Sequence, residues 1–288
     1  MLGEVAQGSG GGRGDVNPDV AFLSEVAREA GEILLKHWGR LESVEKKGAR
    51  DLVTVADRES EAHIVARIRD RFPGDAILAE EGHSEQRATS RLWIVDPLDG
   101  TTNFVHRIPH VGVSIAWCAG GEVTVACVHN PLLDECYTAT RGEGAMLNGR
   151  AIEASGTSEL SEALLATGFH YQREFQPDSN LQHFVDFGVK VRGLRRLGAA
   201  SCDLCYVADG RFDGFWELWL APWDVAAGGL IAWEAGCVVT DFDGGDGWLF
   251  GRRIVAANAT LGPKIREVLA AAESARLPGP HWDGDSAR

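Results

Sequence analysis

Leu23, Val26, Ala27, Ala30, Ile33 and Leu34 recur at helical spacing near the start of the chain, which predicts an amphipathic helix. The preceding Asn17-Pro18-Asp19 provides its start, with Asn as N-cap, Pro at the first helical position and Asp near the positive helix end. A second amphipathic helix is expected after Asp57, burying Ile64, Val65, Ile68 and Phe72 and stopped by Pro73-Gly74. The short apolar runs at 76–78 and 92–95 read as strands, the second ending at Asp96. From His110 to about Ile152 the period falls to two. Val111, Val113, Ile115 and Trp117 alternate with small residues, and Gly120-Gly121 and Asn130-Pro131 separate further strands. That run predicts an antiparallel meander. Gly142 and Gly144 lie between strands with no helix after them, so a dinucleotide loop is not indicated.

Beyond residue 151 strands and helices alternate. Strands are expected at 164–167, 191–197, 215–218, 238–240 and 254–257, and helices at 199–208, 222–234 and 260–272. Gly236 stands just past the second of these helices, as a C-terminal stop. The order suggests an α+β half, about 19–150, joined to an α/β half, about 151–272, with a cleft between them. Residues 1–18, rich in glycine, and 273–288 read as loose tails.

The 288 residues suffice for a substantial core. With 42 acidic and 28 basic residues the net charge is −14, which disfavours a nucleic-acid backbone as the main ligand. The N-terminus lacks the apolar core of a signal peptide, and no apolar run reaches membrane-spanning length. The six cysteines are therefore expected as reduced thiols in a cytoplasm. Cys202 and Cys205 form a C-x-x-C without the second pair that zinc would need, and they read as part of a buried helix.

The chemistry concentrates in LWIVDPLDGTTNF. A hydrophobic strand delivers Asp96, Pro97 turns the chain, and Asp99 follows with Gly100, Thr101, Thr102 and Asn103. Carboxylates this close repel unless a cation lies between them, and hard oxygen ligands suit magnesium. The Leu98 carbonyl is a possible further ligand. Gly100 lets a ligand approach the backbone, and amides starting a helical turn there can meet an anion. D-P-x-D-G is also a good turn on its own. Likewise, Glu80-Glu81 alone is a solvated loop, Asp224 alone favours a helix start, and Asp57 alone is an N-cap.

Together these segments resemble the inositol monophosphatase family of magnesium-dependent, lithium-sensitive sugar and polyol phosphatases. The resemblance runs from about residue 20 to about 270 and rests on WIVDPLDGTTNF, PWDVAAGGLIAWEAG, AEEG (with Ala79 where many relatives have Gly) and DLVTVAD, in that family's order. It implies a layered αβαβα sandwich and a homodimer. It further implies that Glu80, Asp96 and the Leu98 carbonyl bind one magnesium, that Asp96, Asp99 and Asp224 bind a second, and that a third, weaker one lies near Glu80. Thr101, oriented by Asp57, would position the nucleophilic water, and the Gly100 and Thr101 amides would hold phosphate. Lys47 matches an active-site lysine. Glu217 matches the ligand of the substrate hydroxyls, in a pocket lined by Gly198 and Ala200. Thr102, Asn103 and Glu217 favour inositol monophosphate or a similar polyol or sugar phosphate. Fructose 1,6-bisphosphate is an alternative, which Arg195 and Arg196 could serve, as is histidinol phosphate. Some bacterial relatives also act as RNA-polymerase-associated or ribosome-assembly factors, a reading of another class.

Overall fold

The computed structural model describes residues 17–41, 44–46, 52–82, 90–171 and 179–274. The chain opens with α1 (Val20–His37), a small ribbon of β1 (Glu45–Lys46) and β2 (Leu52–Val53), and α2 (Val55–Arg71). Then come β3 (Ala76–Ala79), β4 (Arg91–Asp99), α3 (Thr101–His106), β5 (Gly112–Ala119), β6 (Glu122–Asn130), β7 (Glu135–Thr140), β8 (Gly144–Leu147) and β9 (Arg150–Ala151). Strands β3 to β9 lie side by side in chain order as a seven-stranded sheet, antiparallel except for the parallel β3–β4 pair. The remainder supplies β10 (Leu164–Thr167), α4 (Leu181–Gly188), β11 (Gly193–Arg195), α5 (Ala200–Ala208), β12 (Gly214–Leu218), α6 (Pro222–Glu234), β13 (Val238–Thr240), β14 (Arg253–Ala257) and α7 (Leu261–Ser274). Its five strands take the order β11-β10-β12-β14-β13.

Three apolar clusters define the layers. One joins α1 and α2 to one face of the seven-stranded sheet, through Leu23, Leu34, Ile64, Trp93 and Trp117. A second lies between the sheets and is filled by α5 and α6. A third seats α7 and Phe187 of α4 on the outer face of the five-stranded sheet. The result is the αβαβα sandwich expected of the sequence. Close packing in the middle layer needs glycine: a Cβ on Gly228 of α6 would stand 2.7 Å from Leu204 Cβ of α5. In β4 the pleat sends Trp93 and Val95 into one cluster and Ile94 into the other, as a strand covered on both faces requires. Buried Asp75 accepts the indole N–H groups of Trp93 (2.9 Å) and Trp117 (3.0 Å) and pairs with Arg91 (2.6 Å), so the core's large polar edges are satisfied.

Several boundaries differ from the expectation. The N-cap of α1 is Asp19, whose side chain accepts the Phe22 amide at 2.9 Å, so Asn17 and Pro18 precede the helix. Helix α2 begins before Asp57 because Thr54 takes the cap and Asp57 closes a capping box three residues in. Strand β4 runs through Asp96 to Asp99, and β11 keeps only the middle of the expected 191–197 strand. Cys202 and Cys205 are buried in α5. No helix among the described residues is long and apolar enough to cross a membrane. Lys47 and most of both expected tails lie outside the described residues.

Candidate active site

The carboxyl ends of two parallel groups of strands meet at one cavity. Ala79 of β3 pairs with Val95 of β4, so Glu80 emerges beside Asp96. In the other sheet β10 runs parallel to both β11 and β12, and Gly168, Arg196 and Glu217 stand at or just past their ends. The chain must leave a parallel sheet at these ends, which makes them the common ligand face of such folds. A cavity of about 210 Å³ opens there, lined by Glu80, Asp99 and Asp224 together with Arg196, Gly198 and Glu217. A larger hollow of about 1010 Å³ near α4 and α7 contains none of these residues.

The acids are placed by a break in β4. Its pairing with β5 is regular to Asp96 opposite Ser114, shifts, and resumes at Asp99 opposite Gly112. Pro97, which has no amide to donate, sits in that irregularity, and its carbonyl accepts the Ser60 hydroxyl of α2 at 2.9 Å. Asp96 Oδ1 accepts the Leu98 amide at 3.0 Å. Asp99 Oδ2 is held by the Ser201 amide (2.7 Å) and hydroxyl (2.6 Å) at the start of α5. Asp224 Oδ2 accepts the Ala221 amide at 2.7 Å, closing the start of α6. The Thr101 hydroxyl lies 3.0 Å from Asp57 Oδ1 and 3.2 Å from the Leu98 carbonyl. Asp57 is fixed in turn by the Thr54 amide (2.8 Å) and hydroxyl (2.6 Å). Gly100 adopts φ +88°, and a Cβ there would stand 2.9 Å from the His110 carbonyl, so the approach to the first amides of α3 requires glycine. Those amides carry no side-chain cap.

The electrostatics are those of crowded, buried carboxylates. Burial drives the Asp96 carboxyl well above the ordinary range, and the charges of Glu80, Asp99 and Asp224 push it further. Burial also raises Asp99, against the Ser201 hydrogen bonds, and raises Asp57, against its threonine partners. Among the described residues no three Asp, Glu, His or Cys side chains form a ready metal cluster, consistent with one oxygen each of Asp99 and Asp224 being turned onto a backbone amide. The donor set still fits magnesium: hard oxygens only, converging on an acid that burial and like charges leave costly to ionise.

In the same cavity the buried Glu217 carboxylate lies over Gly168, where any Cβ would collide with it. Burial raises the Glu217 pKa well above normal, while Arg196 opposes the shift. Gly198 adopts φ +90°, and Ala200 opens α5 beside it. Both arginines are exposed; Arg196 lines the cavity, and Arg195 bonds its neighbour's carbonyl.

Three residues of this site were not anticipated. Ser201 fastens Asp99 from across the sheets. His110 Nε2 lies 2.9 Å from Asp203 Oδ1 in a buried pair that ties the β5 entry to α5. Trp219 lines the cavity with φ +68°, a backbone conformation costing a bulky residue about 1–3 kcal/mol. The histidine opens the expected meander, but its partner is remote in sequence, and no local pattern marks a positive φ at a tryptophan.

The profile of the inositol monophosphatase family matches residues 15–276. The Nus factor SuhB of Pseudomonas aeruginosa is 45% identical over 84% of this chain and 92% of its own length. Among solved structures, inositol monophosphatase from Anabaena superposes with a TM-score of 0.80 at 38% identity, covering 88% of this chain and 95% of that one. An IMPase/NADP phosphatase complexed with Mg2+ and phosphate gives a TM-score of 0.75 at 26% identity, covering 85% and 92%.

Proposed function

The chain belongs to the inositol monophosphatase family, and from that footing we propose that it is a magnesium-dependent phosphatase of inositol monophosphate or a similar polyol or sugar phosphate. The observation that carries this reading is buried Asp96, pressed by Glu80, Asp99 and Asp224 beside a Thr101–Asp57 pair. Two or three magnesium ions would be held by Glu80, Asp96, Asp99, Asp224 and the Leu98 carbonyl. When bound they offset the charge of the phosphate dianion and of the leaving oxygen. Thr101, its hydroxyl anchored on Asp57, orients the attacking water. The uncapped amides at Gly100 and Thr101 take phosphate oxygens. Glu217 accepts hydrogen bonds from hydroxyls of the substrate, between Gly198 and Ala200. Lys47 would serve as the active-site lysine of the family pattern. No covalent phosphoenzyme is needed.

The reading includes inhibition by lithium, a cytoplasmic setting and a homodimer. An exposed apolar row, Leu181, Val185 and Val189, supports the dimer, and sedimentation at two protein concentrations tests it. Phosphate release from a panel of polyol, sugar and histidinol phosphates, with and without magnesium, tests the main reading. Absence of magnesium-dependent release from all of them, by protein that melts cooperatively, would overturn it. The likeness to proteins named Nus factor over nearly their whole length favours a second role, association with RNA polymerase. Co-purification of polymerase subunits with wild type and Asp99→Asn separates that role from catalysis.

A further inference from the structure

The lining of the cavity beside the acids mixes two kinds of residue. It carries charged groups, with Arg196 and Glu217 beside the acids. It also carries four aromatic residues, Phe169, Tyr171, Trp219 and Trp223. Trp219 is the unexpected member. It stands two residues after Glu217, immediately past β12, at φ +68°. Its amide donates to the Arg252 carbonyl, and Arg252 itself adopts φ +62°. The β12–β14 pairing thus ends in two opposed residues, both in the left-handed region. Glycine would make this turn without strain. A tryptophan instead brings a large flat apolar surface to the cavity, half-buried and partly packed on the outer core cluster. Strain held in a cavity wall points to a ligand contact.

A ligand made only of hydroxyls gains little from such a wall, because an indole face offers no conventional hydrogen-bond partner, whereas a planar ring gains by stacking or edge contact. We infer that this site, if it is the phosphomonoesterase site described above, takes, besides polyol phosphates, phosphate monoesters whose alcohol carries a planar aromatic or heteroaromatic ring, and favours those that carry the ring. In that pose the ring lies on the Trp219 side, and a hydroxyl or amine of the same group reaches Glu217. Trp219 is the specificity-determining residue, and the acid cluster is indifferent to the ring.

The test is calorimetric titration in magnesium with two probes that cannot be hydrolysed, benzylphosphonate and 2-hydroxyethylphosphonate. Wild type is expected to prefer the benzyl compound by about tenfold, the scale of an aromatic pair. Trp219→Gly relieves the backbone, and Trp219→Asn tolerates the left-handed region while removing the ring. Both should reduce the preference to within about twofold of unity without weakening 2-hydroxyethylphosphonate, and Trp219→Phe should keep most of it. A wild type without preference would overturn the inference, as would a Gly and Asn pair that weaken both probes equally. If the preference follows Trp219 but wild type releases phosphate from no monoester, the inference stands and the hydrolase reading falls.

Discussion

The two sheets furnish the cleft in opposite ways. The seven-stranded sheet provides Asp96, Asp99 and Thr101 from one stretch of β4 and α3, held by local bonds, by α2 and, at Asp99, by Ser201 of α5. The five-stranded sheet provides Gly168, Arg196, Glu217 and Trp219 from the ends of three separate strands. The acid side can therefore keep its geometry while the recognition side changes one loop at a time. Chemistry concentrated in one segment and specificity dispersed over several is a division that separate substitutions can expose.

Asp99→Asn should break the acid side most severely. Hydrolysis is expected to fall by about a hundred- to a thousandfold, measured as phosphate release at saturating magnesium. The same variant should melt higher than wild type in chelator and gain less from magnesium, because one repelling charge is gone. Turnover near wild type would remove Asp99 from the cluster. Asp75→Ala tests whether the seven-stranded sheet is scaffold alone. It leaves two indole N–H groups buried without their acceptor and should cost about 3 kcal/mol in denaturant unfolding, with turnover per folded molecule preserved. Glu217→Gln acts on the recognition side. It should weaken hydroxyl-bearing substrates by roughly 1–3 kcal/mol and phenyl phosphate much less, read from kcat/KM, and equal losses on both would defeat the division.

The smallest effect concerns the seam between the sheets. Burial pushes the Asp203 carboxyl up to about 6, against the pull of His110. The folded protein therefore retains a proton that the unfolded chain, with an ordinary value of 3.8, has released. This contribution to stability is full below that ordinary value and is lost as pH rises through about 6. Asp203→Asn should flatten the slope by about 1 kcal/mol per pH unit within that window, seen in urea unfolding at several pH values. An unchanged slope would show that Asp203 titrates alike in both states.

The acid side was largely legible in the chain because its signals are local. An apolar strand ending in D-P-x-D-G and a helix opening with Pro222-Trp223-Asp224 announce their residues within a few positions. The change of hydrophobic period near residues 110 and 151 marked the two halves, whereas the order of layers was implied by the family resemblance. What escaped were features set by distant partners. Thr54 rather than Asp57 caps α2, because Asp57 is needed by Thr101 on another helix. Asn17 lost its cap to Asp19, whose carboxylate reaches the Phe22 amide. Arg196, not Arg195, faces the cavity because β11 ends between them. Ser201 and Trp219 carry no local signature, since a clamp and a left-handed turn are visible only in three dimensions.

The clamp of Ser201 on Asp99 joins residues 102 positions apart. During synthesis the seven-stranded sheet, whose last strand ends at Ala151, can assemble before α5 has left the ribosome. At that stage Asp99 lacks its serine partner, and Asp224 has not been made. The repulsion that Asp224 adds to Glu80, Asp96 and Asp99 therefore falls on the closing step of folding, when the middle layer docks, while the part among the first three acids is met as the first sheet forms. A nascent chain thus carries three of the four acids on its first sheet and completes the negative site only when α6 docks.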